Sequence, residues 1–404
     1  MKNRYCKEYR VIKGGDFVEN IDEILDNEDL DLDEGDLLSP SKDRELNDIY
    51  PEANIKVERE QYSIFELNRK FGKAQVVLDP DFQREDVWKN RQKSELIESV
   101  LMGIPLPIFY LNETKEGKLV VVDGRQRLTA FFQFLKEEYR LTDLRILKAL
   151  NLKKFSELDK KLQANLEDFQ IIAQVIKPPT PDRIKFDIFD RVNRGGTPLN
   201  NQEMRNALYQ GKSTLLLRNL SAKEVFKRVT NNSINSKRMK DRYLILRFIG
   251  FYLLKVEILK DANGELIEYK GDIDEFLGKI MDYINELTNE EIKVLEKLFE
   301  KTMRNNEIIF NDDAFRRIAR SGKRQPINML LFEALSYLFT MFEEEYCLEN
   351  KEKIKSVCFE LLKDEHLNKL LTNDRGRGIV VPEIMKLMDT LKERLLNDNQ
   401  VENS

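Results

Sequence analysis

A chain of 404 residues is long enough for more than one domain, and 34% charged against 41% hydrophobic residues describes a soluble, helix-rich protein. Its formal net charge of −5, from 67 basic and 72 acidic residues, excludes a uniformly basic nucleic-acid coat but leaves room for a local basic groove. Cys6, Cys347 and Cys358 form no C-x-x-C pair and no disulfide framework, and the N-terminus has no apolar signal-peptide core, so a cytoplasmic protein is expected.

Residues 1–54 read as an acidic, flexible segment, densest in acid between Asp16 and Asp36. Asp29-x-Asp31-x-Asp33 begins like a calcium loop. Glu34 then stands where glycine is needed and Pro40 where the bidentate glutamate is needed, which rejects it. The segment is either a solvated tail or a cover for the protein's own basic groove.

From residue 55 the pattern turns structural. Ser63 caps a short amphipathic helix, Ile64–Phe71, and Ala74–Leu78 is a strand candidate. Asp79-Pro80-Asp81 is a turn, and Phe82–Trp88 a polar cluster holding the only tryptophan. Lys93–Met102 places Leu96, Ile97, Val100 and Leu101 on one helical face, with Gly103 as its stop. After two prolines, Ile108–Leu111 and Leu119–Val122 read as strands, the second buried throughout. A helix comes at once, with Leu128, Phe131, Phe132 and Leu135 at helical spacing. Further on the pattern predicts a charged helix over Ser156–Phe169, a strand over Ile171–Ile176, and a helix capped by Thr180-Pro181. Asn200 with Glu203 forms a capping box for the next one. Beyond Leu215 every strong pattern is helical: Arg238–Leu259, Ile273–Leu287, Asn289–Met303, Pro326–Phe342, Lys351–Leu362 and Pro382–Leu396. The longest apolar segment, Tyr243–Leu254, is too short and too interrupted for a membrane span. The expected domains are 55–212 (mixed α and β), 213–396 (helical) and a tail, 397–404.

Chemistry concentrates at Asp123-Gly124-Arg125-Gln126-Arg127, between strand and helix. A helix N-terminus offers free N–H groups and partial positive charge, and arginine forks grip phosphate. An acid at a strand end can hold Mg²⁺ or orient a water. The competing reading is a tight turn whose arginines pair with carboxylates.

Five segments, taken in order, resemble one family. They are Phe82-Gln-Arg-Glu-Asp-Val-Trp88, the Leu96–Pro107 helix with its Gly-Ile-Pro-Leu-Pro exit, Val122-Asp-Gly-Arg-Gln-Arg-Leu-Thr129, Phe186–Leu199 and Gln202-Glu-Met-Arg205. Together they make residues 63–208 similar to the N-terminal domain of GmrSD-type, modification-dependent restriction proteins, the DGQQR-motif proteins grouped with ParB and sulfiredoxin. The resemblance implies an α+β, ParB/sulfiredoxin-like domain, here followed by a mostly α-helical one. It also implies binding, and hydrolysis, of a nucleoside triphosphate with Mg²⁺ in restriction of foreign DNA and anti-phage defence. Asp123 and Gln126 are then the expected catalytic residues, with Asp123 on the metal. Gly124, Arg125 and Arg127 are the expected nucleotide contacts, joined by Gln83, Arg84, Asn193, Arg194 and Thr197. Arg125 stands where the family usually has glutamine, which favours phosphate binding over water orientation.

Arg316, Arg317, Arg320, Lys323 and Arg324 are a candidate DNA-binding run, or a solvated face. His366 is the only histidine, so no HNH nuclease is expected in this chain, and cutting falls to a separate nuclease or effector subunit. Two alternatives stand beside a nucleotide-dependent sensor. One is a non-enzymatic, nucleotide-switched adaptor for DNA or protein; the other is a Mg²⁺-dependent nickase acting through Asp123.

Overall fold

The computed structural model describes residues 55–78, 88–114, 116–192, 200–234, 236, 238–260, 264–317, 325–371 and 377–401. Its sheet comprises β1 (Lys56–Ser63), β2 (Val76–Val77), β3 (Phe109–Glu113), β4 (Leu119–Asp123) and β5 (Gln170–Lys177), in the order β1-β5-β3-β4-β2. β1 pairs antiparallel with β5 and β3 with β4, while β3–β5 and β2–β4 run parallel.

Leu119–Val122 are buried on both sides because helices cover both faces of the sheet. One face places Phe109, Leu111, Val121, Ala173 and Val175 in a core shared with α1 (Ile64–Gly72), α2 (Asn90–Leu101), α3 (Arg125–Leu135) and α4 (Lys160–Asp168). The other gives Tyr110, Val122 and Ile176 to a larger helical core, and Val120 to Ala207 and Met239. Phe131 and Phe134 of α3 are fully buried, each stabilising the layer by roughly 1.5–3 kcal/mol.

The remaining helices are α5 (Asp182–Val192), α6 (Asn201–Leu208), α7 (Lys212–Ser221), α8 (Glu224–Val229), α9 (Lys240–Lys255), α10 (Ile273–Glu286), α11 (Asn289–Phe310) and α12 (Met329–Thr340). After them come α13 (Glu344–Glu349), α14 (Lys351–Lys363), α15 (Glu365–Leu371) and α16 (Arg377–Val401). The architecture is α+β followed by a mostly helical assembly, as the sequence pattern predicts. Phe189, Met204 and Leu208 pack in the helical core together with Val122 and Ile176 of the sheet.

Caps fixed several ends as expected. Ser63 accepts from the Glu66 amide at 3.0 Å, and Asn200 and Glu203 make their reciprocal box. Four expectations need correction. Ala74 is left-handed (φ 54°), which confines the strand to Val76–Val77. Asp159 caps α4 by accepting from Leu162 N at 2.9 Å, so that helix starts at Lys160, not Ser156. The Thr180 hydroxyl accepts from Lys56 N at 2.9 Å across the sheet edge, and α5 starts at Asp182, not at Pro181. Pro382 lies inside α16 instead of opening it, because burial of Val380 and Val381 carries the helix back to Arg377.

α6 is buried along its whole length, although Asn201, Gln202, Glu203, Arg205 and Asn206 are polar. Arg205 Nη1 donates to Asp274 at 2.6 Å, its Nε donates to Gln202 at 3.0 Å, and Asn201 donates to Asp274 at 2.9 Å. Next to it Arg247 of α9 pairs with Glu333 of α12 and donates to the Tyr243 hydroxyl at 3.3 Å. Gly250, one turn further along α9, lets α10 approach closely; a Cβ there would lie 3.1 Å from Ile280. Among the described residues no helix is long and apolar enough to cross a membrane.

Candidate functional site at the start of helix α3

β4 does not run straight into its turn. Tyr110 of β3 pairs with Asp123, but Leu111 pairs with Val121, so Val122 is an extra residue on β4. Such a bulge bends the strand and re-aims the residues beyond it. Gly124 then takes φ 95°, ψ 8°, and α3 begins at Arg125 with no side chain capping it. Phe109 lies directly beneath: a Cβ on Gly124 would come within 2.2 Å of its ring. Both the backbone angle and the close approach therefore require glycine. Gly124, having no side chain, cannot itself cap the amides of that first turn.

Asp123 and Arg127 face one another across this turn. Arg127 Nη2 donates to Asp123 Oδ2 at 2.7 Å and to the Ile108 carbonyl at 3.3 Å, while Nη1 donates to the Pro107 carbonyl. The guanidinium also stacks on the Phe109 ring, its Cζ 4.0 Å from the centroid. Burial holds it below the usual arginine range although Asp123 pushes the other way. Only 12% of the Arg127 side chain is exposed, against 40% for Asp123. Arg127 thus clamps the motif to the proline loop before β3. Gripping phosphate would require it to leave these acceptors. Asp123 keeps an accessible edge.

Arg125 and Gln126 are half-buried at the first two helical positions. The Gln126 Oε1 is buried and accepts no hydrogen bond from the described residues. A buried acceptor left this way costs about 1–3 kcal/mol, so a donor from a ligand or water suits it. For Mg²⁺ the donor set is Asp123, with no cluster of three acidic, histidine or cysteine side chains among the described residues. That fits the way Mg²⁺ is usually held, by one or two carboxylates together with substrate phosphates.

Gln83 and Arg84 lie in 79–87, and Asn193, Arg194 and Thr197 in 193–199, outside the described residues; so do the acidic segment 1–54 and the basic residues Arg320, Lys323 and Arg324. Trp88 packs against the sheet-layer core. Arg316 donates to Ser233 Oγ at 2.7 Å and to the Gln325 carbonyl, which ties the turn after α8 to the segment before α12. Arg317 is half-buried beside it. His366 is exposed and pairs with Glu383 at 3.2 Å.

Two parts of the site escaped the sequence pattern: the Phe109 ring and the Pro107–Ile108 carbonyls. The prolines before β3 were the available signal, since a rigid loop with unpaired carbonyls needs donors from elsewhere.

Residues 62–210 match the family model described as "GmrSD restriction endonuclease, N-terminal domain". No curated protein matches the chain. Among solved structures, a Pnob8-like ParB-N domain is similar at 12% identity over 83% of this chain and 100% of that one, with a TM-score of 0.16. So loose a superposition leaves the fold to be read from this chain's own sheet and helices. The glycine turn, its arginine clamp and the buried capping box of α6 all fall within residues 62–210, the span that is similar to the GmrSD restriction endonuclease N-terminal domain.

Proposed function

We propose that this chain is the nucleotide-binding component of a restriction system directed at foreign DNA, with a nucleoside triphosphate seated at the start of α3. The observation that carries the reading is the uncapped first turn of α3, presented by a left-handed glycine directly after Asp123. Its amides and dipole favour an anion, and Arg125 adds a cation at the first helical position. Asp123 would hold Mg²⁺, which when bound screens the phosphate charge. Arg127 acts by positioning, keeping the Asp123 carboxylate and the 107–108 loop in register. The unpartnered Gln126 Oε1 supplies an acceptor for a water or a ligand donor.

A second reading, a nucleotide-switched adaptor without turnover, is favoured by the Asp123–Arg127 pair, which already neutralises the carboxylate. DNA cleavage is assigned to a nuclease domain or subunit beyond these residues, because the one histidine sits in an exposed pair with Glu383. The deciding experiment presents ATP, GTP, CTP and UTP with Mg²⁺ and follows binding and phosphate release together. Binding with release supports the enzyme, and binding alone supports the switch. If none of the four binds at millimolar concentration, the proposal fails.

A further inference from the structure

The sheet carries a polar row away from Asp123. Asp123 pairs with Tyr110 of β3, Tyr110 with Gln174 of β5, and Gln174 with Arg59 of β1. Neighbouring strands lie about 4.8 Å apart, which puts Gln174 about 10 Å and Arg59 about 14 Å from Asp123. Side chains alternate along a strand, so Tyr110, Gln174 and Arg59 share the face opposite Phe109, Ala173 and Val175. The next pair on that face is Ile172 with Gln61. Arg59 and Gln61 are exposed, Tyr110, Gln174 and Ile172 are half-buried, and Ile172 belongs to neither core. Among the described residues the side chains of Tyr110, Gln174, Arg59 and Gln61 make no hydrogen bond or ion pair. The acids of β1 lie on the other face, where Glu58 and Glu60 pair with Lys177 at 2.7 and 2.5 Å.

We infer that this strip is the base subsite of the nucleotide whose phosphates sit at the start of α3. The inference rests on that reading and adds what the turn itself does not supply, since helix amides and a dipole recognise phosphate and are indifferent to the base. The Tyr110 ring packs against the helical core, which steadies it as a flat surface for a base, and Ile172 widens that surface. Gln174 and Gln61 each offer two amide donors and an acceptor, the combination that reads the polar edge of a base. Arg59 ends the row with a planar cation that stacks on a base or donates to it. Two strand spacings between Asp123 and Gln174 suit the length of a triphosphate with its ribose.

The test titrates ATP, GTP, CTP, UTP and inorganic tripolyphosphate, each with Mg²⁺, into the full chain. The variants are Gln174→Ala, Arg59→Ala and, on the opposite face of β1, Glu58→Gln. None of the three residues is buried, and equal melting temperatures check that the fold survives. The parent should prefer some bases over others and hold its best nucleotide more tightly than tripolyphosphate. Gln174→Ala and Arg59→Ala should each weaken that nucleotide about five- to tenfold, the scale of one lost hydrogen bond, and narrow the preference. Tripolyphosphate should bind these variants as it binds the parent, and Glu58→Gln should alter nothing. A parent indifferent to the base, or a preference unaltered in both variants, would overturn the base subsite and leave the phosphate site standing. Equal loss of nucleotide and tripolyphosphate would make the strip a phosphate contact and also overturn it. If neither nucleotide nor tripolyphosphate binds at millimolar concentration, the phosphate reading fails and the base subsite falls with it.

Discussion

Gly124→Ala isolates the turn on which the site depends. The alanine would have to hold φ 95°, which costs an L-residue about 1–2 kcal/mol. Its Cβ would also stand 2.2 Å from Cδ1 and 2.6 Å from Cε1 of Phe109. Phe109 is 1% exposed and stacked under Arg127, so it cannot swing aside freely, and overpacking of this kind adds about 1–3 kcal/mol. The sum is roughly 2–5 kcal/mol. Trp88, the sole tryptophan, packs against the same layer, so urea unfolding followed by its fluorescence reads the damage where it occurs. Phe109→Leu separates the two causes. The smaller side chain removes the clash but not the backbone strain, so the double variant should be less destabilised than the sum of the singles by about 1 kcal/mol or more. An alanine variant within about 0.5 kcal/mol of the parent, or strictly additive effects, would refute the packing argument.

Three further outcomes are expected. Arg247→Met strands the Glu333 carboxylate in the core and should cost about 3–5 kcal/mol, whereas Arg247→Met with Glu333→Leu should recover most of it; a double variant as unstable as the single one would contradict this. At Glu98, burial raises the carboxyl pKa, but hydrogen bonds from the amides of Leu147, Ile146 and Arg145 outweigh it and hold the group below the ordinary range. Its stabilisation is therefore present above the unfolded pKa and lost as pH falls through the folded one. The melting-temperature gap between the parent and Glu98→Gln should shrink from pH 7 to pH 3, and a constant gap would deny the carboxylate that role. Burial pushes Cys347 and Cys358 up to about 12, so both should resist a thiol reagent in the native protein and react in denaturant.

Much of the fold was legible because local chemistry and packing agree. The Asn200/Glu203 box, the Ser63 cap and the apolar run of β4 each state their own structure. Several long-range contacts compete with what the local signal suggests. Thr180 looks like a helix cap, yet its hydroxyl serves Lys56, 124 residues away. Arg316 looks like a surface cation, yet it spans 83 residues to brace Ser233. Pro382 reads as a helix start until the burial of Val380 and Val381 is known. The bulge at Val122 leaves no trace in Leu-Val-Val-Val-Asp, since bulges arise from pairing with another strand. At the site, the glycine's importance was readable, but Phe109 beneath it and the carbonyls holding Arg127 were not.

The central claim is that the start of α3 binds phosphate, and a ladder of phosphate number tests it most directly. Nucleoside, diphosphate and triphosphate of one base are titrated with Mg²⁺ into the parent and into Arg125→Ala. The prediction is an affinity that climbs with each phosphate in the parent. In Arg125→Ala the climb should flatten, with the triphosphate losing about tenfold or more while the nucleoside is unaffected. A parent that binds nucleoside and triphosphate equally well, or an Arg125→Ala variant with an unaltered ladder, would contradict the claim.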